Sequence, residues 1–389
     1  MGKIKINKIL VVFGTRPEAI KLAPLIIELK SGSNNFEVVT CVSGQHRQML
    51  DQVLEIFEIS PDIDLNLMKY SQTLSELTAA LLIALQAVLI SEKPDLVLVH
   101  GDTSTAFSAA LAAFYEGVRI GHVEAGLRTY NIFSPYPEEF NREVVSKLAS
   151  IHFAPTEDNQ RNLIAEGVTS NSIHVTGNTV VDALQMISAR LDTNTSLQDG
   201  LVKKLHARLG FPWVEDDFVL ITSHRRENFG GGLTDICQAI IALSRKFPDI
   251  QFVFPVHLNP NVLHPVKSAL EGISNVHLIE PLDYISFISL LRTCLFVLTD
   301  SGGLQEEAPS FNKPLVLMRE STERPEAINS GGTILVGTNV KKIIDTCERL
   351  ILDKEFYNSH VELENPFGQG DSSRTISEIL QDYFKRSVD

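Results

Sequence analysis

One tryptophan, five methionines and four cysteines in 389 residues leave little material for several classes of protein. Cys41, Cys237, Cys294 and Cys347 stand far apart, with no C-x-x-C and no histidine at zinc-ligand spacing. That excludes a disulfide framework or a zinc ribbon and reads as small buried hydrophobes in a reducing compartment. Positive charge is also short: 34 Lys+Arg against 48 Asp+Glu give a net charge of −14. The basic footprint of a general nucleic-acid binder is missing, so any anion must be held by a few placed cations and helix N-termini. Long hydrophobic runs are absent too. Leu77 to Ile90 is interrupted by Thr78 and Gln86 and falls short of the roughly 20 residues that span a bilayer. The apolar strand after Met1–Ile6 is too short for a signal peptide. Neither G-x-x-x-x-G-K-[ST] nor G-x-G-x-x-G on a first strand occurs, which removes support for ATP hydrolysis and for a typical NAD fold. The expectation is a cytoplasmic chain with neither nucleic-acid nor membrane partners.

What is present is alternation. Short β-branched runs at Ile9–Phe13, Glu37–Val42, Leu96–Val99, Ile120–Val123 and His152–Ala154 are each followed by helical pattern or a loop. After Asn171–Asn178 the pattern restarts, with strands expected at Phe218–Thr222, Gln251–Pro255, His277–Ile279, Leu295–Leu298 and Pro314–Met318. This predicts an α/β chain of two parallel-sheet, Rossmann-like domains with a cleft between them. Their boundaries are expected at 1–177, with a C-terminal helix 371–389 packing back on that domain, and at 178–370. The polar segment Asn194–Asp199 reads as a surface loop. A weak internal repeat supports shared topology: Gly14-Thr15-Arg16-Pro17-Glu18 resembles Ser223-His224-Arg225-Arg226-Glu227, and His100-Gly101-Asp102-Thr103 resembles Thr299-Asp300-Ser301-Gly302-Gly303.

Four constellations carry chemistry. In Gly14–Lys21, Thr15 and Glu18 read as a capping box with Pro17 in the first turn, yet Arg16 is a cation set against the helix dipole, which points to an anionic ligand there. In Asp300–Glu307, Gly302 and Gly303 with a helix N-terminus suit a diphosphate, and Glu307 suits a ribose diol, an ordinary cap being the plainer reading. Asp102, Glu124, Glu138 and Glu139 form an acid set, with Asp102 and Glu124 near strand ends where a cleft can separate pKa values. Glu139 reads instead as a structural partner of Arg128 or Arg142. Finally, Ser223–Phe229 places His224 beside two arginines at a strand-to-helix junction, a pyrophosphate clamp in which histidine can donate a proton to a leaving phosphate. His257 is open to either reading, and Arg324 adds a cation on a later loop.

Together, Gly14–Lys21, His100–Thr103, His122–Thr129, Ser134–Arg142, His224–Asn228, Pro255–Pro260, Ser301–Pro309 and Thr322–Glu326 resemble the non-hydrolysing UDP-N-acetylglucosamine 2-epimerase family of bacteria, in order, from about Ile9 to the C-terminal helix. The resemblance implies a GT-B-like fold and reversible inversion at C2 to give UDP-N-acetylmannosamine for surface polysaccharide synthesis. It implies UDP elimination across C1–C2 to 2-acetamidoglucal and re-addition, with no metal or other cofactor, in a cytoplasmic homodimer. By position it assigns Asp102, Glu124 and Glu138 to acid/base work, leaving open which takes the proton. It assigns Arg16, His224, Ser301, Gly302 and Gly303 to the phosphates, Glu307 to the ribose, and Phe287 with the Leu282 backbone to uracil, with Lys21 and Arg324 completing the site.

A second, activating nucleotide-sugar position is implied at Gln45, Gln48, Arg225 and His257, although Ser71 stands where an arginine is expected. Asn365–Gly370 departs from the family's N-P-Y-G-[DN]-G in carrying Phe367. The rival readings are a hydrolysing 2-epimerase, which releases N-acetylmannosamine and UDP, a GT-B glycosyltransferase and a silent nucleotide-sugar sensor.

Overall fold

Runs that are apolar at every position belong to strands covered on both faces, because a half-solvated strand alternates. Leu96–Val99 is such a run, every residue of it buried. The computed structural model describes residues 6–31, 36–44, 47–67, 72–361 and 363–386. Within these the chain divides into two compact units, residues 1–183 with 367–389, and residues 184–366.

The first unit holds strands β1 (Asn7–Phe13), β2 (Phe36–Val42), β3 (Ile63–Asp64), β4 (Leu96–His100), β5 (Arg119–Val123), β6 (Ile151–Ala154) and β7 (Ile173–Val175). They form one seven-stranded parallel sheet in the order β3-β2-β1-β4-β5-β6-β7. The second unit holds β8 (Phe218–Thr222), β9 (Gln251–Pro255), β10 (Val276–Ile279), β11 (Val297–Thr299), β12 (Leu315–Leu317) and β13 (Thr333–Leu335), a six-stranded parallel sheet in the order β10-β9-β8-β11-β12-β13. Both are α/β, as the alternation predicts. In each sheet the strand order reverses once, at β1/β4 and at β8/β11, and loops leaving such a switch point are the ligand-binding position of doubly wound sheets. The motifs of the internal repeat occupy these loops: Gly14–Glu18 follows β1, Gly101–Thr103 follows β4, Ser223–Glu227 follows β8, and Asp300–Gly303 follows β11.

Two local expectations are corrected. Asn194–Asp199 is not a loop: Asn194 caps the helix Thr195–Leu209, its side chain accepting from Leu197 N, so the polar residues are a helix start. The apolar run at Leu77 belongs to a longer helix, Leu74–Glu92, which reaches membrane-spanning length and composition. Leu77, Leu81, Leu85, Val88 and Leu89 of that helix lie in the core of the first unit. The helix Ser372–Arg386 packs on the helix Arg16–Lys30, with Phe384 against Phe36 at 5.8 Å and Arg119 over the rings of Tyr383 and Phe384. The division between units falls inside the helix Thr179–Thr193.

Candidate functional site

In the first unit a buried carboxylate ties the two switch-point loops together. Glu18 closes the capping box on Thr15, and its Oε2 accepts from Gly14 N at 3.0 Å and Thr15 N at 2.8 Å. Its Oε1 accepts from Thr103 Oγ1 at 2.7 Å, so one side chain spans from the β1 loop to the β4 loop. Burial raises the Glu18 pKa, against these hydrogen bonds. Arg16, half-buried, begins the helix on one side of this tie, and Asp102 stands on the other.

Three of the predicted acids occupy distinct surroundings. Glu124, one residue past β5, adopts the left-handed backbone region at φ 62°, a conformation costly for a side-chain-bearing residue and concentrated at functional sites. Its Oε2 forms a short ion pair with Lys21 Nζ and accepts from Asn178 Nδ2 at 2.7 Å, while His100 Nε2 stands 3.8 Å away. Asp102 pairs with Arg142 at 2.7 Å, its side chain 24% exposed. Glu138 is half-buried at the first position of the helix Glu138–Leu148. Glu139 is fully buried, accepts from Thr129 N and Tyr130 N at 2.9 Å, and faces Arg142 at 3.4 Å, which is the structural role its sequence suggests. Arg128 pairs with Glu166 instead.

The second unit carries a matching tie. Asp300, fully buried after β11, accepts from Ser223 Oγ at 2.8 Å, His224 N at 3.0 Å, Arg225 N at 3.1 Å and Asn228 Nδ2 at 3.0 Å. His224 projects from this loop with its ring stacked on His257, centroids 5.9 Å apart. Its side chain is 40% exposed, and burial of the inner part lowers its pKa, with Asp300 opposing and Arg225, His257 and Arg319 adding to the fall.

Behind this loop lies a network that sequence reasoning missed. Glu323 is buried among Arg324 at 2.6 Å, Arg319 at 2.9 Å and Arg225 at 3.8 Å, and Arg324 also pairs with Glu306 at 2.5 Å. Burial works against the charge of Glu323, yet the three guanidinium groups outweigh it and hold the carboxyl far below the usual range. Gly302 stands against this network: a Cβ there would lie 2.8 Å from both Arg324 Nη1 and Glu323 Oε1, so any added side chain would displace those side-chain ends. Ser301 N donates to Thr299 Oγ1, and Gly303 precedes the helix Leu304–Glu307. That helix has only four residues, so the expected helix N-terminus is a weak source of potential. Glu307 is half-buried at its end.

Leu282 is buried after β10, and Phe287 is half-buried on the helix Tyr284–Thr293, which Asp283 caps. Gln45 and Ser71 lie outside the described residues, as does the side chain of Gln48. His100 and Glu323 lie inside the sequence motifs but are not singled out by them, while Arg319 and Asn178 lie outside; Asn178 meets Glu124 from 54 residues away, and Glu323 gathers Arg319, Arg324 and Arg225 only once the loops are folded. Among the described residues, no three of His, Cys, Asp or Glu converge as metal ligands.

Two parallel sheets with chemistry-bearing loops at both switch points define the GT-B-like class of nucleotide-sugar proteins. The sequence pattern described as UDP-N-acetylglucosamine 2-epimerase matches residues 28–381, and the chain belongs to that family. It is 50% identical to the UDP-N-acetylglucosamine 2-epimerase of Yersinia pestis, over 97% of this chain and 99% of that protein. The solved Neisseria meningitidis UDP-GlcNAc 2-epimerase bound to UDP-GlcNAc superposes with a TM-score of 0.91 at 48% identity, covering 96% of this chain and all of that one. The Methanocaldococcus jannaschii UDP-GlcNAc 2-epimerase, in complex with UDP-GlcNAc and UDP, superposes at 0.82 with 34% identity, covering 96% of this chain and 99% of that one.

Proposed function

We propose that this chain is a cytoplasmic, non-hydrolysing UDP-N-acetylglucosamine 2-epimerase, an isomerase that interconverts UDP-N-acetylglucosamine and UDP-N-acetylmannosamine for surface polysaccharide synthesis. A carboxylate takes the C2 proton, the C1–O bond breaks with its electron pair going to UDP, and 2-acetamidoglucal remains with a C1=C2 double bond. UDP then adds back at C1 as a proton arrives at C2 from the opposite face. The second unit takes UDP, with uracil at Phe287 and the Leu282 backbone, ribose at Glu307, and phosphates at Ser301, Gly302, Gly303 and His224. The first unit supplies Arg16 to the phosphates and Asp102, Glu124 and Glu138 to the sugar.

The observation that carries this reading is Glu124: a carboxylate at a strand end, in the left-handed backbone region, with Lys21 and Asn178 fixing one oxygen. Lys21 acts through that carboxylate, and Arg324 acts through Glu306 and Glu323 to shape the phosphate loop. Arg225 and His257, beside His224, would belong to the activating position with Gln45 and Gln48; sigmoidal rather than hyperbolic kinetics in UDP-N-acetylglucosamine is the expected sign.

Incubation with UDP-N-acetylglucosamine in D2O, followed by proton NMR, tests the proposal. Deuterium at C2 of intact UDP-N-acetylmannosamine is expected. Free N-acetylmannosamine would indicate the hydrolysing reaction, and an unchanged spectrum would overturn the epimerase reading. The homodimer is supported by an exposed apolar face on the helices Leu74–Glu92 and Ser104–Tyr115, where Ile83 is 72% and Tyr115 69% exposed. Light scattering should give twice the 43.1 kDa chain mass.

A further inference from the structure

Asp300 does more than its place in a glycine-containing phosphate loop requires. One of its oxygens, Oδ2, collects four donors from the loop after β8: Ser223 Oγ, His224 N, Arg225 N and Asn228 Nδ2. The other, Oδ1, accepts from His224 N at 3.0 Å and faces His224 Nδ1 at 3.5 Å, a contact one small ring adjustment short of a hydrogen bond. The carboxylate is fully buried while the imidazole is 40% exposed. The acid therefore addresses the inner nitrogen of the ring and leaves the outer one available. A carboxylate in that position fixes which ring nitrogen carries the proton in the neutral imidazole.

We propose that Asp300 is the positioning residue of His224: Oδ2 sets the backbone of the loop, and Oδ1 holds the proton on Nδ1, so that Nε2 is the atom presented to the leaving diphosphate. The inference rests on the epimerase reading for what Nε2 does, and on the geometry alone for the tautomer. Ser223, Arg225 and Asn228 are then explained as parts of one mount, and Asp300 itself touches no substrate. The groups facing His224 are Asp300, Arg225, His257 and Arg319, of which only Asp300 is anionic.

Asp300→Asn is the informative variant. With its carbonyl oxygen at the Oδ2 position it keeps an acceptor for the four donors, while its amide nitrogen, at the Oδ1 position, donates toward His224 Nδ1 and reverses the tautomer. The folded variant should show His224 as Nε2–H in 15N–1H correlation spectra, where the wild type shows Nδ1–H. Its kcat should fall about 100-fold with KM changed less than about threefold. Adding His224→Asn to Asp300→Asn should lower kcat by no more than about threefold beyond His224→Asn alone, since both disable one unit. Asp300→Ala, which removes the whole acceptor hub, should also lose thermal stability.

An unchanged His224 tautomer in Asp300→Asn, a loss confined to KM, or losses that multiply independently would each overturn the proposal. A wild type without activity on UDP-N-acetylglucosamine would overturn the epimerase reading, and the tautomer measurement, made without substrate, would still decide this one.

Discussion

At the residue scale the molecule places its carboxylates in opposed circumstances. Glu124 is held by an ammonium and an amide, Glu18 is buried on backbone N–H groups and hydroxyls, and Glu323 sits among three guanidinium groups. Their substitutions should differ accordingly. On the proposed mechanism, Glu124→Gln keeps the shape but cannot cycle a proton, so kcat should drop about 10²- to 10⁴-fold, with C2 deuterium incorporation falling in parallel, and loss of the buried ion pair with Lys21 should also lower the thermal midpoint. Glu323 acts on stability. Its folded pKa is depressed, so its contribution is complete above the ordinary value near 4.5 and is lost as pH falls below it. The stability difference between wild type and Glu323→Gln, read from urea unfolding, should therefore be largest near neutrality and shrink through pH 4.5 and below. A difference that grew on acidification would contradict the pairing.

At the element scale, the strands and their order follow from apolar runs and turn residues, and most were legible as such. β3 and β13 were not: Ile63–Asp64 and Thr333–Leu335 are two and three residues long at sheet edges, too short for any periodicity to register. The Asn194 start was misread because Ser, Thr and Asn serve caps and loops alike. The residues that motifs single out carry a local signal, while partners defined by pairing do not. Asn178 looked like a turn residue and donates to Glu124, 54 residues earlier. The same holds for Asp182, whose carboxylate accepts from Ser372 N at 3.3 Å and Ser373 N at 2.7 Å and so caps the helix Ser372–Arg386 from 190 residues away. Asp182→Ala should cost about 1–2 kcal/mol, as loss of an N-cap does, seen as a lower thermal midpoint and faster proteolysis within Ser372–Arg386.

At the scale of the whole molecule, the second unit is one continuous stretch set into the first. Residues 184–366 should fold alone with a cooperative urea transition, whereas 1–183 without 367–389 should lack one, because it would miss Ile376, Leu380 and Phe384 from its buried surface. Where the chain leaves and re-enters the first unit, Asn178 N donates to Phe367 O at 2.7 Å. The two passages meet there at Gly177, whose φ of 75° and whose Cβ position, 2.6 Å from Ser372 Oγ, admit no side chain. Phe367, fully buried, keeps the ring that the loop needs. This arrangement also sets an order of events on the ribosome. Residues 1–183 emerge first, yet their last covering helix is translated only after all of 184–366 has been made. The unit translated later is complete in sequence sooner, so Asp102, Glu124 and Glu138 reach their final setting only after residues 184–366 have had time to fold.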